Sequence, residues 1–183
     1  MKKYRILIVF MAFFAGAICT VNAQAPYKNG IGVSVGNMQA LTFKTFGGNH
    51  FAFQLDLGTK IIATNGHFKN IDLTGVSFWT LELNPNFIFE GRLGGGLYGL
   101  VGLGASIGYD WNYMPYRGMF LDWYQRSDYG KCGANGIFGL EYKFNAPVAM
   151  QFDFRPGYGC VFAKHYDAHY FDWSVNLGAR YTF

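Results

Sequence analysis

Residues 171–183, FDWSVNLGARYTF, constrain the fold of this chain more than any other stretch. Odd positions are Phe171, Trp173, Val175, Leu177, Ala179, Tyr181 and Phe183; even positions are Asp172, Ser174, Asn176, Gly178, Arg180 and Thr182. A strict period of two describes a β-strand with one apolar and one polar face. At about 3.3 Å per residue and a tilt near 40°, such a segment covers the ~25 Å apolar band of a transmembrane barrel. A strand in a soluble sandwich is nearer five or six residues. Length and regularity together point to a barrel wall.

The same alternation recurs along the chain. Ile31, Val33 and Val35 alternate with Gly32, Ser34 and Gly36, and a tight connection over 37–40 leads to a second strand, 41–46, with Lys44 on its polar face. Gly47-Gly48-Asn49 signals a turn. The third strand, 51–61, sets Phe51, Phe53, Leu55, Leu57 and Ile61 against Ala52, Gln54, Asp56, Gly58 and Lys60. A loop is expected at 64–70. The fourth strand then runs to about Asn84, and 85–92 connects it to the fifth, 97–109. A long aromatic loop is expected over 110–131. Strands six and seven, 132–144 and 148–162, flank an Asn145-Ala146-Pro147 turn, and a loop at 163–169 precedes the last strand. The count is eight, an even number. Short and long connections alternate towards the C-terminal half, as in outer-membrane barrels.

The first residues set the compartment. Lys2, Lys3 and Arg5 precede an apolar run over 6–19, too short for a ~20-residue spanning helix and suited to a signal-peptide core. Val21-Asn22-Ala23 offers small residues for cleavage, so 1–23 reads as a removed signal and 24–183 as one domain. A lipid-anchor reading of Cys19 needs a small residue before it, and Ile18 fits poorly. Three of the 15 basic residues and none of the 11 acidic ones lie in the signal, leaving twelve against eleven. A mature chain so balanced offers no basic surface for nucleic acid.

A soluble barrel would place charges outside and bulky apolar side chains within. Here the apolar faces are bulky and unbroken, while the other faces carry charges or glycine. Exposed to water, such a belt would exceed what a soluble monomer tolerates. The fold class expected is all-β, an eight-stranded antiparallel up-and-down transmembrane β-barrel.

LTFKTFGGNHFAFQLDLG, GLYGLVGLGASIGYDW, GIFGLEYKF and NLGARYTF resemble the strands of small outer-membrane proteins of the OmpA/OmpX type, over essentially all of 24–183. The resemblance implies an address in the cell outer membrane, among lipids including lipopolysaccharide. It also implies recognition of the last strand, ending at Phe183, by the barrel-assembly machinery. It brings no catalytic motif and no cofactor, and a monomer is expected.

Catalytic signals are weak. Gly94-x-Gly96-x-x-Gly99 matches a dinucleotide fingerprint, but a strand follows where a helix is needed; glycines there make room inside a barrel. His165 and His169 lack a third metal ligand. Ser127 with either histidine is the one nucleophile–base pairing available for chemistry on lipid A, and no spacing singles it out. The reading is a non-enzymatic barrel with a structural or surface-interaction role. A passive conduit for a small or hydrophobic solute is the alternative, and a lipid A-modifying enzyme comes third.

Two clusters carry the remaining expectations. The inward faces hold Lys44, Lys60, Lys143, Arg155 and Arg180 with Asp56, Glu82, Glu141, Asp153 and Asp172. Balanced signs suit a mutually paired plug, because an isolated buried charge costs several kcal/mol. Arg180 is expected near Asp153 and Glu141, with Arg155 and Lys143 in the same cluster. If Phe144 faces Val148 across the turn, paired residue numbers sum to 292, which sets Cys132 opposite Cys160. Both share the outward parity of Phe138, Leu140, Phe152 and Phe154, so a cross-strand disulfide is expected.

Overall fold

The structure is a computed structural model that describes residues 25–60, 66–68, 71–73, 79–117, 122–163 and 166–183. The expected signal segment, 1–23, and its expected cleavage site lie outside these residues. The described residues form ten strands: β1 Asn29–Gly36, β2 Met38–Phe46, β3 Phe51–Lys60, β4 Gly66–Phe68, β5 Ile71–Leu73, β6 Trp79–Gly94, β7 Leu97–Arg117, β8 Asp122–Lys143, β9 Val148–Ala163 and β10 Tyr166–Thr182. Eight of them close into a barrel in the order β1-β10-β9-β8-β7-β6-β3-β2, while β4 and β5 form a separate two-stranded sheet. Every pairing is antiparallel, and closure runs from Gly30 opposite Thr182 to Gly36 opposite Asn176. Asn29 and Phe183 exchange both backbone bonds, at 2.8 and 2.9 Å, so the seam is tied at its end.

Short turns at 47–50, Gly95–Gly96 and 144–147 share one end of the barrel with the start of β1 and the end of β10. Gly95 adopts φ +56°, the left-handed conformation that lets β6 reverse into β7 within two residues. The Gly94-x-Gly96-x-x-Gly99 motif is therefore a hairpin turn.

Burial is inverted relative to a soluble protein. Lys44, Gln54, Asn86 and Glu141 are fully buried, whereas Leu103 and Phe171 are more than 70 % exposed. The alternation read in the sequence explains it: a closed sheet turns one parity of every strand inwards. The polar parity is the inner one.

Three expected connections are largely strand instead, and β4 falls within a fourth, 64–70. The 85–92 segment is the second half of β6, pairing with β3 through Phe51 opposite Phe89. Proline has no N–H to give a ladder, and the β6–β7 pairing skips Asn84 and Pro85 while β3 stays in register beside them. The 110–131 segment is no loop over most of its length. The β7–β8 ladder continues without a break to Arg117 opposite Asp122. Its tyrosines and tryptophans favour extended backbone, and two strands pairing with each other satisfy their own backbone groups. Likewise β9 and β10 form a close hairpin, Ala163 opposite Tyr166, where a 163–169 loop was expected.

Candidate functional site

The barrel interior concentrates this chain's polar chemistry, and it is layered. At the turn end, Phe46, Ala52, Ile88, Leu100 and Ile137 form a small apolar stopper, with Ala25 and Tyr27 packed against it. Tyr27 meets Phe46 edge-on at 5.1 Å. These inward apolar residues pack together inside the turn end of the barrel.

Above them lies a four-charge layer. Lys44 pairs with Glu90 and, at 2.8 Å, with Glu141, and Arg180 Nη1 reaches the same Glu141 Oε2 at 2.9 Å. Arg180 also donates to Gln151 Oε1 at 2.7 Å and to Thr42 Oγ1 at 3.2 Å. Two cations and two carboxylates cancel, so the layer is neutral as a unit.

The next layer is centred on Arg155, which bridges two carboxylates: Nη1 to Asp56 Oδ2 at 2.6 Å, and Nε to Asp153 Oδ1 at 2.6 Å. One cation faces two anions. Four amides supply the balance. Gln54 and Asn86 donate to Asp56, and Gln151 and Asn176 donate to Asp153, over 2.7–3.1 Å. Amide N–H groups stabilise a carboxylate without adding charge. Higher still, Lys131 pairs with Glu82 at 2.7 Å, and Lys60 on β3 reaches Asp172 on β10 across the short β1–β2 hairpin. A cavity of about 20 Å3 between these layers, lined by Met38, Asn84, Ser106, Asn135 and Ser174, has room for about one water molecule.

The structure brings Arg180 to Glu141 but not to Asp153, which takes Arg155 instead. The register decides this: Asp153 lies opposite Asn176, four residues along β10 from Arg180, and Gln151 fills the space between. Lys143 is outside the network. It lies beside the turn, where Nζ donates to the backbone oxygens of Phe144 and Ala146 at 2.7 Å each. Glu90 and Lys131 join the interior charges although the sequence pattern puts each in an expected connection. Once those segments are read as strands, inward parity includes both. Small residues make the layers possible: a Cβ on Gly104 would lie 2.0 Å from Asn86 Oδ1, and one on Gly108 would lie 2.6 Å from Lys131 Cε.

No family model and no curated protein matches this chain. Among solved structures, the N-terminal β-barrel domain of Pseudomonas aeruginosa OprF matches at 16 % identity and a TM-score of 0.45, over 88 % of this chain and all of that one. The barrel itself rests on strand pairing.

Outside the lumen, the register does set Cys132 directly opposite Cys160. Both thiols are free, and Cys160 Sγ is turned to His169 Nδ1 on the adjoining strand, 3.2 Å away. Opposed positions fix the distance between backbones, not the rotamers of the two side chains. His165 and the side chain of Ser127 lie outside the described residues, so the Ser127 pairing has no geometry to weigh. Among the described residues, no three His, Cys, Asp or Glu side chains converge as a metal site.

Proposed function

We propose that this chain is a barrel of the cell outer membrane, non-enzymatic, with a structural or surface-interaction role and a lumen that passes no solute. The carrying observation is the inverted burial. Leu41, Phe51, Phe87, Leu103, Ile107, Phe152, Trp173 and Leu177 stand 46–73 % exposed around the outside, while ion pairs fill the inside. A water-soluble monomer rarely exposes more than a few hundred Å2 of contiguous apolar surface; hydrocarbon removes that objection. Aromatic pairs ring the turn end, including Tyr142 with Phe144 and Tyr181 with Phe183. Tyr109, Tyr158 and Trp173 are exposed higher on the wall. Two such girdles suit the headgroup levels of a bilayer. Lipid, including lipopolysaccharide, is then the partner of the outer face, and the exposed row on β10 is what assembly machinery would read. The turn end faces the periplasm.

The apolar stopper and the paired layers above it support a closed lumen over a conduit. The test is refolding of the full chain into lipid vesicles and into detergent-free buffer, followed by single-channel recording in planar bilayers. Folding only with lipid or detergent, and no steady ion steps, are expected. A folded monomer in plain buffer would overturn the membrane reading, and reproducible steps from pure protein would overturn the closed lumen.

A further inference from the structure

Three side chains stand in one row across the outer face of β8, β9 and β10. Cys132 lies opposite Cys160, and Cys160 lies opposite His169. The His169 ring is stacked on Tyr158, with centroids 5.8 Å apart and planes within 10°. That stacking holds Nδ1 against Cys160 Sγ at 3.2 Å. Cys132 is exposed, Cys160 is half-buried, and both are free thiols. Opposed residues in an antiparallel ladder have Cα atoms about 4.5–5.5 Å apart, inside the span a disulfide bridges. The row also sits high. Cys132 is twelve residues from Phe144 along β8, which at about 3.3 Å per residue and ~40° tilt is roughly 30 Å, at the outer edge of a ~25 Å apolar band. Water-borne reagents reach that level. Its height rests on the membrane reading above; its chemistry does not.

We propose that this row is a thiol–disulfide exchange site for a small-molecule disulfide. Cys160 is the attacking thiol, His169 its proton acceptor and Cys132 the resolving thiol. With the ring proton on Nε2, His169 Nδ1 accepts the Cys160 S–H and takes its proton. The Cys160 thiolate attacks one sulfur of the incoming disulfide RSSR, forming Cys160–S–S–R and expelling RS−. Cys132, its proton lost to solvent, then attacks the Cys160 sulfur, closing the Cys132–Cys160 bond and expelling the second RS−. The two cysteine sulfurs give up two electrons, and the two sulfurs of RSSR receive them. Cys160 attacks first because the imidazole lies against its sulfur, and nucleophilicity in such exchange belongs to the thiolate. Closure ties β8 to β9 near Gly130, the last β8 residue paired with β9 among the described residues, below the part of the β7–β8 hairpin that runs on. The product is a staple at the base of that hairpin.

The experiment uses the full chain with Cys19→Ser in every sample, wild type included, refolded in detergent micelles, with oxidised glutathione as the probe and acid-quenched intact mass as the readout. Wild type is expected to lose both thiols and keep no glutathione. Cys132→Ser should stall with one adduct on Cys160, and Cys160→Ser should gain its adduct roughly tenfold more slowly. His169→Ala should slow adduct formation at Cys160 roughly tenfold, leave Cys132 in the Cys160→Ser background unchanged, and be rescued by added imidazole. Alanine at either cysteine gives the same reading where a serine variant fails to fold. Two retained adducts in wild type, equal rates in the two single-cysteine variants, or a His169→Ala rate equal to wild type would each overturn the proposal.

Discussion

Replacing Arg155 with alanine tests the plug where its charges are least balanced. Arg155 is 6 % exposed, and its partners Asp56 and Asp153 are 1 % and 2 % exposed. Its removal leaves two buried carboxylates with amide donors but no cation. Removing one partner of a buried pair costs about 3–5 kcal/mol, mostly through the charge left behind. Two stranded carboxylates put Arg155→Ala at the upper end, about 5 kcal/mol, and four well-placed amides hold it from going higher. At about 1.4 kcal/mol per tenfold, the unfolding equilibrium should shift by between three and four decades. The assay is urea unfolding of the barrel in lipid vesicles, followed by tryptophan fluorescence and by gel mobility. Arg155→Met combined with Asp56→Asn and Asp153→Asn should recover most of the loss, since a neutral filled interior is often no worse than an ion pair. A loss under about 1 kcal/mol for Arg155→Ala, or no recovery in the triple variant, would show that these groups are separately hydrated. The reasoning about a dry paired layer would then be refuted.

Lys44→Met should cost about 3–5 kcal/mol because it strands Glu90 and leaves Glu141 with Arg180 as its remaining cation, while Lys143→Ala, which loses only contacts to turn carbonyls, should cost about 1 kcal/mol or less in the same unfolding assay. Arg180→Ala should couple to Glu141→Gln by about 1 kcal/mol or more in a double-mutant cycle and more weakly to Asp153→Asn, which it meets only through Gln151; equal couplings would erase the layer boundary. Gly104→Val should cost about 1–3 kcal/mol by driving Asn86 off its place beneath Asp56, and a neutral result in urea midpoints would show that the lumen is looser than its distances imply.

Much was legible in the sequence because a strand's period of two is local. The alternation at Phe171, Trp173, Val175 and Leu177 against Asp172, Ser174, Asn176 and Gly178 assigns a face to each residue before any partner is known. A closed barrel gives all its strands one shared inside. The Cys132–Cys160 opposition was legible for the same reason, since the register of a hairpin follows from its turn. Connections were harder to read. Pro85 resembles a breaker until β3 is seen holding the strand beside it, and the aromatic 110–131 stretch resembles a loop until β7 and β8 pair through it. Pairing across strands is not written in the order of residues along one.

Apart from Arg180 beside Glu141, which charges meet was decided by the tertiary structure. Parity placed Arg180, Glu141, Asp153 and Arg155 inside, but partner choice depends on the height of each residue in a tilted, sheared barrel, where adjacent strands are offset. That offset gives Glu141 to Arg180 and Lys44, and Asp153 to Arg155. It leaves Lys143 at the rim beside the turn and carries Lys60 over the β1–β2 hairpin to Asp172. The direction in which a side chain points is a property of its own strand. What it touches is set by the closure of eight strands at once.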